Sequence, residues 1–112
     1  MRCLELVING NKTNVRIMKA DSFFSKLLGL MGKTNIEIGL LIPGCNSIHT
    51  FFMKIPIDTI FIGSDNKIVQ IIHNLKPWRI VLPVSRAKDT LELESGSALN
   101  LCLKENDTLT FS

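Results

Sequence analysis

The sequence predicts a mainly β domain: a compact antiparallel or mixed β-sandwich or squat barrel of about eight short strands, with one or two short helices. Three observations predict it. Short segments rich in Ile, Leu, Val, Phe and Thr recur along the chain, several alternating at the period of two that buries one strand face. Turn-forming clusters containing Asn, Gly, Asp or Pro separate them every ten residues or so. The helical period is clear in a single stretch, which argues against the alternating helices of a parallel α/β fold. At 112 residues the chain has the size of one domain.

An N-terminal hairpin is expected over about residues 3–19. Cys3 to Ile8 puts Leu4, Leu6 and Ile8 on one face and Glu5 on the other, and Asn14 to Ala20 sets Val15 and Ile17 opposite Arg16. The intervening Asn9-Gly10 suits a turn with positive φ. Phe23, Phe24, Leu27, Leu28, Leu30 and Met31 then recur at helical spacing, predicting a helix over about 22–32. Asp21 or Ser22 can cap it and Gly32 can end it.

The β core is expected over about 39–111. Gly39–Ile42 and Ser47–Met53 read as strands joined through a Pro43-Gly44 turn. Ile57–Ile62 is apolar on both faces and marks a central strand, followed by a hairpin partner at Ile68–Ile72. Lys76 to Val84 contains two prolines, so it reads as an edge or irregular crossing segment. Thr90–Glu94 and Thr108–Phe111 complete the strands, with a short helical turn between them before Asn106-Asp107 reverses the chain.

Composition narrows the function. Thirteen basic and ten acidic residues give a net charge of +3, and the charges are dispersed. A nucleic-acid binder concentrates its cations, because phosphate neutralisation sets its affinity, so no nucleic-acid partner is expected. Cys3, Cys45 and Cys102 are odd in number and widely spaced, which reads as free thiols in a reducing compartment. The N-terminal segment carries Arg2 and Glu5 within a short apolar run, unlike a signal peptide. No apolar run approaches the roughly 18 residues needed to span a membrane. The expectation is a cytoplasmic, soluble protein. No cofactor is implied, since neither a phosphate-cradling glycine loop nor a serine-hydrolase elbow is present.

The densest chemistry lies between Cys45 and Asp58, CNSIHTFFMKIPID. Cys45 and His49 are four residues apart, about 13 Å along a strand at roughly 3.3 Å per residue, too far for one zinc ion; no metal is expected. Strand alternation would put His49, Phe51 and Met53 on one face and Thr50, Phe52 and Lys54 on the other. Asp58 opens a strand that looks buried on both sides, so its carboxylate needs a partner: backbone amides, Thr50 or Lys54. Glu92 reads as solvated, or as the second member of a carboxylate pair with Asp58 if its face lines a cleft. Trp78 reads as a plug at the edge of the core or as a stacking platform.

The ordered set GLMGK (Gly29–Lys33), GLLI (Gly39–Ile42), IHTFFMKIPID (Ile48–Asp58), LKPWR (Leu75–Arg79), LELESG (Leu91–Gly96) and END (Glu105–Asp107) resembles family 192 of the domains of unknown function, over about residues 20–112. The resemblance implies a compact, mainly β domain and no particular reaction; members occur in bacteria and archaea, some exported and others cytoplasmic. Its recurrent positions correspond to Gly29, Leu30, Met31, His49, Thr50, Met53, Lys54, Pro56, Asp58, Phe61, Glu92, Gly96 and Asp107. Two positions depart from the pattern. Lys26 stands where Arg is common, and Asn106 replaces a usual Gly, Asn being the next best residue for positive φ.

These readings converge on a module that binds a small molecule or protein beside the His49–Asp58 segment. His49, Thr50, Lys54, Asp58 and Glu92 would supply polar contacts, with Met31, Met53 and Trp78 as apolar walls. The alternatives are a hydrolase using His49 with Asp58 or Glu92, and a purely structural or interaction domain.

Overall fold

The computed structural model describes residues 2–20, 39–51 and 53–112. The expected helix at 22–32, Met31 and Phe52 lie outside them. Nine strands and one short helix are described: β1 (Arg2–Ile8), β2 (Asn11–Lys19), β3 (Gly39–Ile42), β4 (Ile48–His49), β5 (Ile57–Gly63), β6 (Ile68–Leu75), β7 (Ile80–Val81), β8 (Ala87–Glu94), α1 (Ser97–Asn100) and β9 (Leu109–Phe111).

Seven strands form one sheet in the order β6-β5-β8-β3-β2-β1-β9, and β4 pairs with β7 in a separate two-stranded sheet. Pairing is antiparallel throughout except between β2 and β3. The β1–β2 hairpin turns at Asn9 and Gly10, with φ of 49° and 83°, the two positive values a type I′ turn requires. β5 is buried along its whole length because β6 and β8 flank it and both of its faces are covered. Thus mixed pairing, a central Ile57–Gly63 strand and an N-terminal hairpin match the sequence pattern.

The sheet curls until its outer strands meet at one end. Lys67 and Thr108 form an isolated bridge, the Ile68 amide donates to the Asp107 carbonyl at 2.9 Å, and the Leu109 amide donates to the Asn66 carbonyl at 2.8 Å. The ladder does not continue from there, so the squat barrel is approached without being closed.

Alternation sorts the side chains into two cores. Leu6, Ile17, Leu41, Ile60, Ile62, Leu91, Leu93 and Leu109 pack on one side, with Ala98 of α1. Leu40, Ile42, Met53, Ile57 and Ala20 pack on the other. β3 serves both, sending Leu41 one way and Leu40 and Ile42 the other. At its start, Gly39 lies so close to its neighbours that a Cβ there would stand 2.6 Å from Ile17 Cδ1 and 2.6 Å from Leu93 Cδ2. Only glycine lets these strands approach in this way.

Candidate functional site

The Ser47–Met53 strand expected from alternation is confined to Ile48–His49. After His49 the backbone turns, with the Met53 amide donating to the Thr50 carbonyl at 3.2 Å. The turn breaks the period of two. Thr50 and Met53 are both buried, whereas His49 and Lys54 are exposed and Phe51 is half-buried. The reason is Thr50, whose hydroxyl and peptide groups are all engaged by the loop of residues 76–79.

Thr50 Oγ1 donates to the Lys76 carbonyl at 2.7 Å and accepts from the Arg79 amide at 2.8 Å. Its own amide donates to the Arg79 carbonyl at 2.9 Å, and its carbonyl accepts from the Trp78 amide at 3.0 Å. The hydroxyl thus bridges the carbonyl and amide that a tight turn over Lys76-Pro77-Trp78-Arg79 would ordinarily join directly. Pro77 fits the second position of such a turn, and the third position then takes positive φ, where glycine is usual. Trp78 occupies it with φ of 63°. Among the described residues, five of the eight non-glycine residues with positive φ are asparagine, the residue that tolerates it best; a tryptophan there is an outlier.

The held turn carries an aromatic ledge. His49 and Phe51 ring centroids lie 5.0 Å apart, and Phe51 and Trp78 lie 5.7 Å apart, both pairs tilted. His49 pairs with Ile80 across β4 and β7. Trp78 is 58% exposed, Ile80 63% and Leu82 76%, so alternate residues of this segment turn large apolar groups outward. Lys54, Lys76 and Arg79 are exposed close by in the sequence. Trp78 is thus more than half exposed rather than sunk into the core.

The carboxylates divide. Asp58 is buried, with Oδ1 accepting from the Asn74 amide at 2.9 Å and Oδ2 from the amides of Gly96 (3.1 Å) and Ala98 (2.9 Å). Gly96 is the N-cap of α1 and has no side chain to cap with, so Asp58 supplies the missing acceptor from β5. Of the expected partners, backbone amides satisfy it: those of Asn74 on β6 and of Gly96 and Ala98 at the start of α1. Glu92 pairs with Thr59 across β5 and β8, whereas Asp58 pairs with Leu93. Cross-strand partners share a face, so Asp58 and Glu92 lie on opposite faces of the sheet and form no pair. Glu92 is buried rather than solvated, and burial raises its pKa from 4.5 to about 7.

His49 Nδ1 accepts from the Phe51 amide at 3.3 Å, and no carboxylate of a described residue hydrogen-bonds to it. The Cys45 thiol donates to the Ser47 carbonyl at 2.8 Å. Of the residues expected at the site, the structure brings His49, Thr50 and Trp78 together and sets Asp58 and Glu92 elsewhere. Phe51 and the Trp78 backbone were not expected; the signal for the latter was Pro77, which favours a turn whose next residue has positive φ.

A curled mixed sheet with a side turn stapled by a buried threonine defines a small β domain with a fixed, exposed aromatic surface. The chain matches the DUF192 family model, described as "Uncharacterized ACR", over residues 5–111, and belongs to that family. It is 39% identical to a UPF0127 protein of Pyrococcus horikoshii, over 81% of this chain and 85% of that one. A second UPF0127 protein, from Pyrococcus furiosus, is 29% identical over 95% of each chain. A crystal structure of a protein of unknown function from Novosphingobium aromaticivorans superposes with a TM-score of 0.83 at 24% identity, covering 96% of this chain and 84% of the other; that likeness is one of fold. Among the described residues no helix is long and apolar enough to cross a membrane.

Proposed function

We propose that the chain is a binding module that docks a protein segment on the ledge formed by His49, Phe51 and Trp78 and extended by Ile80 and Leu82. The observation that carries this reading is Trp78. Holding a bulky residue in the left-handed region costs about 1–3 kcal/mol, and Thr50 offsets that cost with four hydrogen bonds. The product is a tryptophan that stays more than half exposed. Aromatic side chains presented rigidly at a surface bind with little loss of side-chain entropy.

The dimensions favour a protein segment over a small planar ligand. Trp78 to Leu82 spans about 13 Å if extended at roughly 3.3 Å per residue, and contiguous exposed apolar groups of this kind mark interaction surfaces. Lys54, Lys76 and Arg79 favour acidic residues beside the apolar ones in the partner. A hydrolase would need His49 oriented by a carboxylate, a contact missing among the described residues.

Trp78 is the sole tryptophan, so intrinsic fluorescence reports on this surface alone. The test is selection from a phage-displayed random peptide library against the whole chain. Enriched peptides should combine Asp or Glu with aromatic or Leu residues, shift Trp78 emission to the blue, and lose binding to Ile80→Ser. Peptides that bind tightly without altering Trp78 emission would refute the ledge as the docking surface.

A further inference from the structure

The β5–β6 turn, the turn that leads into β8 and the loop before β9 together line a cavity of about 540 Å³. That volume lies within the range of small-molecule sites, roughly 300–1,000 Å³. Its walls are tied to the seam of the curled sheet. The Gly63 amide donates to the Lys67 carbonyl at 2.9 Å, and the Asn66 amide to the Gly63 carbonyl at 3.0 Å. The Asn106 amide donates to the Ile68 carbonyl at 2.9 Å. Gly63 sets the approach of two of these walls. A Cβ there would stand 3.0 Å from Asp65 Oδ1 and 3.2 Å from the Arg86 carbonyl oxygen, so a larger residue would part the two turns.

Four exposed charged residues line the cavity: Asp65, Lys67, Arg86 and Glu105. The two signs are balanced, yet no ion pair within 4.0 Å joins any two of the four. Arg86 is the least expected of them. It holds φ of 69° at the third position of a turn that the Ala87 amide closes on the Val84 carbonyl at 3.2 Å. Glycine or asparagine is the usual occupant of a left-handed turn position. The left-handed residues of the other two segments, Asn66 and Asn106, are both asparagine. An arginine kept there supplies a cation to the cavity wall at a cost in backbone strain, and such strain collects at binding sites.

We infer that this cavity is a second binding site, separate from the aromatic ledge, for a small zwitterion that carries an ammonium and a carboxylate on a polar body. Arg86 and Lys67 receive the carboxylate, the guanidinium through paired N–H donors. Asp65 and Glu105 receive the ammonium. Asp65 Oδ1 already accepts from the Lys67 amide at 3.1 Å, which fixes that carboxylate and leaves Oδ2 for the ligand. Ser64 and Asn106 add polar groups to the lining for the body of the molecule. The balance of charge selects against simple ions. An anion that reaches the two cations also meets the two acids, and a cation meets the reverse, so a ligand of both signs is the one matched by every group.

The test uses glycylglycine and L-glutamine as probes, with N-acetyl-L-glutamine (no ammonium) and L-glutaminamide (no carboxylate) as controls. Binding is read on the whole chain at low salt by amide NMR shifts and calorimetry. The zwitterions should move the Gly63, Ser64 and Asn106 amide signals, and each control should bind about tenfold or more weakly, the loss of one charge-assisted contact. Added salt should weaken binding, because the charged groups are exposed. Arg86→Asn suits the left-handed turn, so it should melt no lower than the parent while binding falls by about tenfold or more. Glu105→Gln should shrink the preference for L-glutamine over its N-acetyl form. No shift at these amides with either zwitterion, equal binding of the capped forms, tighter binding of inorganic phosphate, or undiminished binding by Arg86→Asn would overturn the inference. Ile80→Ser should leave the zwitterions unaffected, so failure here and failure of the ledge are told apart.

Discussion

Glu92 makes the stability of this domain fall as the solution becomes more alkaline, and Glu92→Gln removes that dependence. Burial raises its pKa from 4.5 to about 7, because the carboxylate loses its water on a face formed by Leu40, Thr59 and Ile57. Between those two values the folded chain holds a proton that the unfolded chain releases, so the slope of unfolding free energy against pH is negative. The stabilisation is present below pH 4.5 and is lost progressively up to about pH 7. A difference of this size corresponds to about 3 kcal/mol, at roughly 1.4 kcal/mol per pH unit. Glutamine fills nearly the same volume and does not ionise. Urea unfolding of both proteins at pH 4.5, 6 and 8 isolates the effect, since every other titrating group cancels between them. The two should be similar at pH 4.5, with Glu92→Gln ahead by about 3 kcal/mol at pH 8. That gap is on the order of 10 °C in melting temperature. A stability difference that is constant from pH 4.5 to pH 8 would refute the argument.

Asp58→Asn should destabilise by about 3 kcal/mol in urea, because an amide can turn only one oxygen towards three backbone donors and sets its own NH2 against the rest. Amide exchange at Ala98 should quicken with it, since α1 loses its cap. Asp107 behaves oppositely to Glu92: burial pushes its pKa up, but hydrogen bonds from Asn9 and the Lys104 amide and the Lys104 charge outweigh that and hold it below 3.8. Its contribution is therefore complete above pH 3.8 and is lost as pH falls through the lower folded value, so Asn9→Ala should cost about 1 kcal/mol at neutral pH and move acid unfolding to higher pH. Gly39→Ala should cost about 1–3 kcal/mol through overpacking against Ile17 and Leu93, measured by thermal melting.

Where local pattern and tertiary context agree, the sequence was readable. Asn9-Gly10 predicts its hairpin because the turn type needs the φ values those residues tolerate, and Ile57–Ile62 predicts a doubly covered strand because no polar face is left to it. Asn106 adopts φ of 73°, as a residue standing in for glycine should. Alternation failed from Thr50 to Lys54 because period two holds only while a neighbouring strand enforces it, and β4 has just two paired residues. Long-range register was equally hidden. That Asp58 and Glu92 face opposite ways follows from which residue sits across from which, and no local pattern encodes it. The candidate site was legible as a set of residue types, but which of them meet was not.

Trp78→Asn separates architecture from recognition at the ledge. If the indole were part of the core, its removal would cost about 3–5 kcal/mol, as for other buried tryptophans. The residue is more than half exposed, and among its contacts the one with Phe51 is worth about 0.5–1.5 kcal/mol. Against that loss, asparagine relieves a left-handed backbone that costs a bulky residue about 1–3 kcal/mol, and Thr50 continues to hold the turn through main-chain groups that the substitution leaves in place. The two effects nearly cancel, so Trp78→Asn should melt within a few degrees of the parent while losing the selected peptides. Thr50→Val should do the reverse at first, destabilising by about 2 kcal/mol through the unsatisfied Lys76 carbonyl and Arg79 amide, and weaken peptides only because the turn no longer fixes the ring. A Trp78→Asn protein that unfolds readily would mean the ring is there for packing, and a tryptophan kept for packing gives no reason to expect a partner.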